Sequence, residues 1–271
     1  CLFGFARRFK NKTQPKMTPQ HKTKIEILLC TKIKTILPVG GGCIANACQV
    51  LTEKEEKFFY KSYSNNEILK CEINGLNELH LAKNIKIPKV IIAEDDFALM
   101  EFINQSNRGK NFFETFGRSF AQLHKYSSDN FGFYENNFIG ANRQVNQPIS
   151  NNWTEFYFQN RLLYQFKLAE KNGYVDKNFR DLFYRLENNI NSILDGCENI
   201  SSLLHGDLWS GNYLCDKNGA ACLIDPAVYY GNREADLAMT KLFGGFDTSF
   251  YSAYNEEYKL PNDWKYRENI F

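Results

Sequence analysis

Three polar residues in the second half of the chain have the types and spacing that phosphoryl transfer requires. In the segment LLHGDLWSGNYLCDKNGAACLIDPA, four residues separate Asp207 from Asn212, and Asp225 comes thirteen positions after Asn212. A carboxylate can accept the proton of an acceptor hydroxyl, and carboxylate and amide oxygens are ligands that Mg²⁺ prefers. The spacing equals that of the catalytic-loop Asp, the Asn and the metal-binding Asp in protein kinases. We therefore predict Asp207 as the catalytic residue and Asn212 with Asp225 as metal ligands, against the alternative that the aspartates only cap turns.

A lysine and a glutamate in the first half of the chain fit a nucleotide site. Lys61 lies in the strand-like run FFYKSY, and Glu72 lies on the helix predicted to follow it. Lysine at this place in a kinase pairs with the α and β phosphates, and a glutamate on the next helix holds it by a charge-assisted hydrogen bond. Glu67 and Glu78 compete with Glu72 as partners of the lysine. The alternative for Lys61 and Glu72 is a pair of solvated surface charges.

Backbone groups complete the predicted nucleotide site. The stretch GGGCIANA joins two predicted strands, so N–H groups at Gly41 and Gly42 can cover phosphates. It lacks the full G-x-G-x-x-G, and a glycine-rich hairpin turn fits it as well. In the segment LMEFI, backbone N–H and C=O groups at Glu101 and Ile103 can bond the edge of an adenine, while its other side chains fit a plain core equally well.

The elements that would position these residues form two predicted lobes. Apolar residues recur at helical spacing over 66–82, and five strand-like runs surround that helix. We predict an α+β, bilobal, protein-kinase-like fold: an N-terminal nucleotide-binding lobe at 25–103, with a five-stranded antiparallel sheet plus one helix, and a mainly helical C-terminal lobe at 104–271, with a catalytic β-hairpin and the substrate site. Residues 1–24 are basic and loosely patterned, and we expect a tail or extension there. The helices predicted for the second lobe cover 112–126, 153–174 and 179–194.

Composition excludes several other classes of protein. The 271 residues contain 33 Lys and Arg against 31 Asp and Glu, so charge does not favour a nucleic-acid or membrane-surface partner. No apolar run approaches the roughly 20 residues of a membrane-spanning helix. The N-terminal stretch lacks the apolar region of a signal peptide, and eight cysteines without such a signal favour free thiols. We therefore expect a cytoplasmic protein.

The catalytic segment and several other stretches resemble the fructosamine kinase (ketosamine 3-kinase) family, within the aminoglycoside phosphotransferase and choline kinase superfamily. HGDLWSGN at 205–212 and IDPAVYYGNREADLAM at 224–239 carry most of the resemblance, together with GGGCIANA, FYKS, and the block FGFYENNFIGANRQVNQP followed by NNWTEFYFQNRL. The resemblance covers roughly 34–264. The tryptophan in the loop, the tail PAVYYGNREADLAM and the stretch FIGANRQVN distinguish this family from the rest of the superfamily.

The resemblance implies ATP-dependent phosphorylation, with Mg²⁺, of the 3-hydroxyl of a ketosamine. The ketosamine is a ribulosamine, erythrulosamine or fructosamine, protein-bound or free, and the reaction belongs to deglycation and protein repair. Residue by residue, the resemblance assigns Asp207 as the base and Trp209 as a platform that stacks on the sugar. A tryptophan that braces the loop is the alternative for Trp209. Asp236 resembles the helix carboxylate that braces the catalytic loop, and His205 is interpreted as a bracing residue, since Asp207 already has the role of base.

Two features depart from the family. Members continue past an arginine-containing stretch like WKYRENIF into a terminal helix, so we expect the second lobe to be truncated at Phe271. The residues before about Gln20 are not family-like, and Met17 is a possible start. Cys43, between the glycines and the next strand, fits either a redox-sensitive thiol or a small residue that fills a tight loop, so we expect a monomer or a redox-sensitive homodimer.

Two alternative functions stay open at this point. One is another small-molecule kinase of the superfamily, acting on an aminoglycoside, choline or homoserine. The other is a pseudokinase that binds nucleotide without catalysis, against which the presence of Lys61, Asp207, Asn212 and Asp225 argues. A protein kinase of the eukaryotic type is disfavoured because no activation segment ending in A-P-E follows Asp225.

Overall fold

The computed structural model describes residues 17–39 and 45–271. The described residues divide into two compact units. The first unit holds the residues up to Leu69 together with Ile91–Phe102, and the second holds Lys70–Val90 together with Ile103–Phe271. Within the described ranges, no helix combines the length and the apolar character needed to cross a membrane.

The first unit is built on a five-stranded sheet. The strands are β1 (Ile33–Pro38), β2 (Asn46–Thr52), β3 (Lys57–Ser62), β4 (Val90–Ala93) and β5 (Ala98–Glu101), in the spatial order β1-β2-β3-β5-β4. The pairs β1/β2, β2/β3 and β3/β5 are antiparallel, as predicted. Side chains from the sheet and from the segments packed against it form the core of this unit, and the fully buried members are Ile25, Cys48, Val50, Tyr60, Phe97 and Leu99.

A helix that sequence reasoning did not predict precedes the sheet. It is α1 (Pro19–Leu28), which begins after Thr18, whose hydroxyl accepts the N–H of His21 at 3.1 Å. The imidazole of His21 lies 2.6 Å from the hydroxyl of Tyr60 and so fastens the helix to the sheet. The sequence predicts a tail up to residue 24, since this stretch is basic and shows no apolar stripe. The structure explains why no stripe is present: Ile25 is the one buried residue of this helix.

The next helix, α2 (Asn66–Ala82), has the bounds that the sequence predicts. Its buried positions Leu69, Ile73, Leu76 and Leu79 follow a helical stripe, and for this reason the apolar periodicity alone predicts the helix and its ends. The remaining helices belong to the second unit. They are α3 (Phe112–His124), α4 (Trp153–Tyr157), α5 (Tyr164–Lys171), α6 (Lys177–Ile193), α7 (Arg233–Lys241), α8 (Thr248–Glu257) and α9 (Trp264–Arg267).

The predicted single helix at 153–174 contains a π-helical segment, Phe158–Leu163, between α4 and α5. The guanidinium of Arg161 in this segment stacks on Tyr229 at 4.1 Å from the ring centroid. Its Nη2 also donates to Oδ1 of Asn146 at 2.8 Å. Apolar spacing cannot distinguish a π turn from an α turn, so the sequence did not predict this change in the helix.

Helices α3 and α8 pack closely and form the aromatic core of the second unit. Phe116 and Phe250 meet edge to face with centroids 5.1 Å apart, and both are buried. Gly117 permits this approach, because a Cβ there would lie 2.2 Å from the carbonyl oxygen of Phe250. A glycine is therefore required where the two helices cross.

The second unit also contains short strands, and they hold the predicted catalytic segment. Strands β9 (Ser201–Leu204) and β12 (Tyr229–Gly231) pair antiparallel, with β6 (Ser127–Ser128) on the other side of β9. Two antiparallel hairpins complete the set: β7 (Asn137–Ile139) with β8 (Asn142–Gln144), and β10 (Tyr213–Cys215) with β11 (Ala221–Leu223). The β10–β11 pair is the β-hairpin that the sequence predicts beside the catalytic loop.

Candidate active site

The loop that follows β9 is held at its start by a carboxylate from α7. The Asp236 side chain accepts the backbone N–H groups of His205 at 2.7 Å and of Gly206 at 2.9 Å. Gly206 has a φ of +79°, and a Cβ there would lie 2.0 Å from the carbonyl oxygen of Ala227. Only glycine fits this position. The bracing role predicted for Asp236 is confirmed.

His205 braces the same loop from inside, as predicted. Its ring is fully buried, and its Nε2 lies 3.0 Å from the carbonyl oxygen of Ile224. A carbonyl can only accept, so Nε2 carries the proton and Nδ1 is free to accept the N–H of Asp207 at 3.3 Å. Burial lowers the pKa of His205, which keeps the ring neutral in this tautomer.

Asp207 and Asn212 are brought together by the turn between them. The Nδ2 of Asn212 donates to the carbonyl oxygen of Asp207 at 2.7 Å and to its Oδ2 at 3.0 Å. The pKa of Asp207 is raised to about 7, mainly by burial and also by the negative charges of Asp225 and Asp236, although the hydrogen bond from Asn212 lowers it. At neutral pH this carboxyl can therefore exchange a proton in either direction.

Asp225 follows β11 and is tied to the same loop through the backbone. The N–H of Ile224 donates to the carbonyl of Asn212 at 3.1 Å, and the N–H of Ala227 donates to that of His205 at 2.9 Å. Asp225 has a φ of +54°, in the left-handed region. An aspartate there costs about 1 kcal/mol, and strain of this kind concentrates at functional sites.

The donor atoms at this place suit a magnesium ion. The Nδ2 of Asn212 donates to Asp207, which leaves the Oδ1 of Asn212 as an acceptor. Asp225 adds a carboxylate. In the ranges 17–39 and 45–271, no group of three or more His, Cys, Asp or Glu side chains could hold a metal by itself. Mg²⁺ is commonly held by one or two protein ligands plus substrate phosphates and water, so the two oxygen donors fit that ion.

The charged residues predicted for the nucleotide site are buried in their elements. Lys61, in β3 of the first unit, is 4% exposed, and Glu72, in the part of α2 that belongs to the second unit, is 6% exposed. This burial excludes the alternative of two solvated surface charges. Of the competing glutamates, Glu67 is exposed, and Glu78 accepts a hydrogen bond from the hydroxyl of Tyr230 at 2.6 Å.

The other predicted nucleotide contacts fall in different places. Glu101 is half-buried at the end of β5, where it pairs with Phe58, and Ile103 is buried in the second unit. Gly41, Gly42 and the neighbouring Cys43 lie outside the described residues. None of the six cysteines that the structure describes is part of a disulfide bond.

Trp209 lies two residues after Asp207 and is half-buried. A Cβ on Gly211 would lie 2.4 Å from Cη2 of the indole, so the ring rests on the glycine backbone. The ring of Phe243 meets it edge to face, with centroids 5.3 Å apart. Sequence reasoning missed Phe243, since it lies 34 positions further along the chain and no spacing relates it to the loop.

The β7–β8 hairpin supplies a second feature that sequence reasoning missed, which we call the amide clamp and define as Asn137 and Gln144. The two residues face each other across the hairpin, and both are buried. Nε2 of Gln144 donates to Oδ1 of Asn137 at 2.8 Å and to the carbonyl of Ala227 at 2.9 Å. Nδ2 of Asn137 donates to the carbonyl of Val228 at 2.6 Å. The clamp therefore fixes the backbone that follows Asp225.

The fold is protein-kinase-like. The structure of macrolide 2′-phosphotransferase type I aligns with a TM-score of 0.62 at 12% identity, covering 94% of this chain and 89% of that one. At this identity the likeness shows the fold alone, and it confirms the predicted fold class.

The chain belongs to the fructosamine kinase family, whose sequence model matches residues 17–271. The protein-ribulosamine 3-kinase of Arabidopsis thaliana chloroplasts is 37% identical, covering 89% of this chain and 75% of that protein. An inferred ketoamine kinase of Enterococcus faecium is 33% identical, over 87% of this chain and 85% of that protein. The crystal structure of an inferred fructosamine-3-kinase from Thermobifida fusca aligns with a TM-score of 0.83 at 26% identity, covering 92% and 88% of the two chains. The predicted family is confirmed, and membership makes the chain an ATP-dependent kinase.

Proposed function

We propose that this protein transfers the γ-phosphate of ATP to the 3-hydroxyl of a ketosamine, as the names of its relatives suggest. The observation that carries the proposal is the Asp207 carboxyl, which is held by Asn212 and has a pKa near neutrality in a chain of this family. A base must be partly ionised at the working pH and lie where the acceptor hydroxyl can approach it.

In this mechanism Asp207 accepts the proton of the acceptor hydroxyl while His205 and Asp236 keep its backbone in place. Asn212 and Asp225 would hold Mg²⁺, which neutralises charge on the transferred phosphate when it is bound. The leaving group is ADP, and the proton taken by Asp207 passes to solvent after the product departs. Little covalent chemistry falls to the protein, so positioning accounts for most of its contribution.

The remaining site residues receive proposed roles on the nucleotide and the sugar. Lys61 pairs with the ATP phosphates and Glu72 orients it, with backbone contacts supplied by Gly41, Gly42, Glu101 and Ile103. Trp209 stacks on the apolar side of the sugar. The contact of its ring with the backbone of Gly211 also fits the alternative that Trp209 braces the loop, and one tryptophan can have both roles. We further propose the lobe division at 25–103 and 104–271, a cytoplasmic location and a role in deglycation repair.

Substrate turnover tests the proposal. Purified protein with ATP and Mg²⁺ is assayed by coupled ADP release on ribuloselysine, fructoselysine, kanamycin and choline. Asp207→Asn, which keeps the size of the side chain, is compared with Asp129→Asn, a change at an exposed aspartate in the same unit. We expect turnover on a ketosamine that Asp207→Asn abolishes and Asp129→Asn retains.

The other outcomes identify the alternatives. Turnover on kanamycin or choline alone would assign the protein to a different small-molecule kinase. ATP binding without turnover on any acceptor would identify a pseudokinase. Turnover that survives in Asp207→Asn would remove the proposed role of that carboxylate.

A further inference from the structure

An exposed phenyl ring lies beside the loop that carries Asp207. Phe243 comes just after α7 and is 53% exposed, although its ring also meets Trp209 edge to face at 5.3 Å. We call the two rings the aromatic platform, defined as Trp209 and Phe243. One end of the platform is half-buried two residues from Asp207, and the other end reaches solvent.

The turn that carries Phe243 is fixed at both ends by one hydroxyl. The hydroxyl of Thr240 donates its one proton to the carbonyl of Leu237 at 2.6 Å. In its second hydrogen bond, at 2.9 Å, the Thr240 oxygen therefore accepts the proton of the Tyr251 hydroxyl. The same Tyr251 oxygen accepts the N–H of Phe246 at 3.1 Å. Between these anchors, Gly244 and Gly245 have φ values of +104° and +78°, which glycine adopts without strain. The phenyl ring is therefore presented by an ordered turn.

The chemistry of the platform changes along its length in the same way as a ketosamine does. A ketosamine on a protein has hydroxylated carbons at the reacting end, then a secondary ammonium, then the four methylene groups of a lysine stem. A phenyl ring offers no hydrogen bond to a sugar hydroxyl, but it binds methylene groups and attracts a cation to its face. The exposed end of the platform thus matches the amine and the stem, and the end near Asp207 matches the sugar.

We propose that Phe243 is a specificity-determining residue that binds the lysine stem of the acceptor, and so favours a ketosamine on lysine over one on an amine without that stem. This inference rests on the proposed function. A ketosamine on glycine has the same sugar and the same amine but lacks the stem. It therefore reaches Asp207 and Trp209 without the apolar contact to Phe243.

The test compares two acceptors and two adjacent variants. Steady-state kinetics are measured on a short peptide with a central ribulosyl-lysine and on ribulosylglycine. The variants are Phe243→Ala and Leu242→Ala, which alters an equally apolar neighbour that is 59% exposed. We expect Phe243→Ala to raise KM for the peptide about tenfold, the range that loss of a few methylene contacts produces, while kcat and both constants for ribulosylglycine stay unchanged. Phe243→Leu keeps an apolar surface and is expected to recover most of the loss.

Each contrary outcome has one meaning. Equal losses on both acceptors would show that Phe243 only supports Trp209 or the turn, and the inference would be overturned while the proposed function stands. An unchanged peptide KM in Phe243→Ala, or the same rise in Leu242→Ala, would also overturn it. If the unmodified protein phosphorylates neither acceptor, nor the fructosyl and erythrulosyl forms of the same peptide and glycine, the proposed function itself fails, and the inference fails with it.

Discussion

At the scale of single residues, the imidazole of His205 shows how burial fixes a protonation state. The neutral ring donates through Nε2 to Ile224 and accepts from Asp207 through Nδ1. A second proton would require Nδ1 to donate, and the bond from the N–H of Asp207 would be lost. The low pKa of His205 is therefore part of what holds the loop.

This coupling predicts a pH-dependent contribution to stability. In the unfolded chain His205 takes up a proton below about pH 6.5, whereas burial lowers its pKa in the folded protein. The unfolded state then binds more protons, so the free energy of unfolding falls as pH drops below about 6.5, by at most about 1.4 kcal/mol per pH unit for this group, until the folded-state pKa is reached.

The measurement is denaturant unfolding between pH 7.5 and 5.5 for the natural protein and for His205→Gln. We expect a shallower loss of stability in the variant, because glutamine does not titrate and the other groups are shared. Parallel slopes for the two proteins would show that His205 has the same pKa in the folded and the unfolded state, and would contradict the prediction.

At the scale of elements, the β7–β8 hairpin explains why its residue types matter to a loop far away in sequence. The amide clamp bonds the carbonyls of Ala227 and Val228, which are 83 and 91 positions from their donors. Those carbonyls belong to the segment that begins at Asp225. The hairpin thus acts on the candidate metal site through the backbone, without contributing a ligand.

Removing one arm of the clamp tests this role. Gln144→Ala leaves buried acceptors at Ala227 and Asn137 without their donor, which costs about 1–3 kcal/mol of unfolding free energy. We expect kcat to fall with a higher Mg²⁺ concentration at half-maximal rate, since the backbone after Asp225 is no longer fixed. Arg143→Ala, at the exposed neighbouring position, should change stability by no more than about 0.5 kcal/mol. A Gln144→Ala protein that is less stable but has unchanged kcat and Mg²⁺ dependence would make the clamp purely structural.

At the scale of the whole molecule, the last helix is joined to the rest of the second unit by a buried ion pair. Arg267 and Glu234 are each 2% exposed at the side chain, with Nη2 and Oε1 2.7 Å apart. The Nη1 of Arg267 also donates to the carbonyl of Asp195 at 3.1 Å. Three segments far apart in sequence therefore meet at one guanidinium.

Removing one partner of this ion pair should strongly destabilise the folded protein. Arg267→Met leaves the Glu234 carboxylate buried without its counter-charge, and we expect a loss of about 3–5 kcal/mol in unfolding free energy. Adding Glu234→Gln removes the uncompensated charge and should restore part of the loss. Lys265→Ala, at an exposed position on the same short helix, is the control. Denaturant unfolding distinguishes these cases, and a loss below about 1 kcal/mol in Arg267→Met would contradict the prediction.

The sequence predicted those parts of the molecule in which local pattern and burial agree. Helix α2 has its predicted bounds because its apolar residues form one buried stripe. The spacing of Asp207, Asn212 and Asp225 selected residues in backbone segments that the structure joins by hydrogen bonds, and their catalytic and metal-binding roles stay predictions. Helix α1 escaped prediction because its attachment relies on one imidazole and one isoleucine. Strands of two or three residues, such as β6 to β8, are too short to show alternation. The contacts of Phe243 and of the amide clamp depend on tertiary structure that no spacing encodes.

The carbonyl of Ala227 has a consequence for protein engineering. It accepts Gln144, and it lies where any side chain at residue 206 would be. A chimera that carries only HGDLWSGN into another kinase of this fold would transplant the glycine but not the amide that the carbonyl needs. The smallest unit that can be exchanged between such enzymes therefore comprises the loop, the segment after Asp225 and the β7–β8 hairpin together. Substitutions in any one of these three segments should accordingly be accompanied by compensating substitutions in the others during evolution.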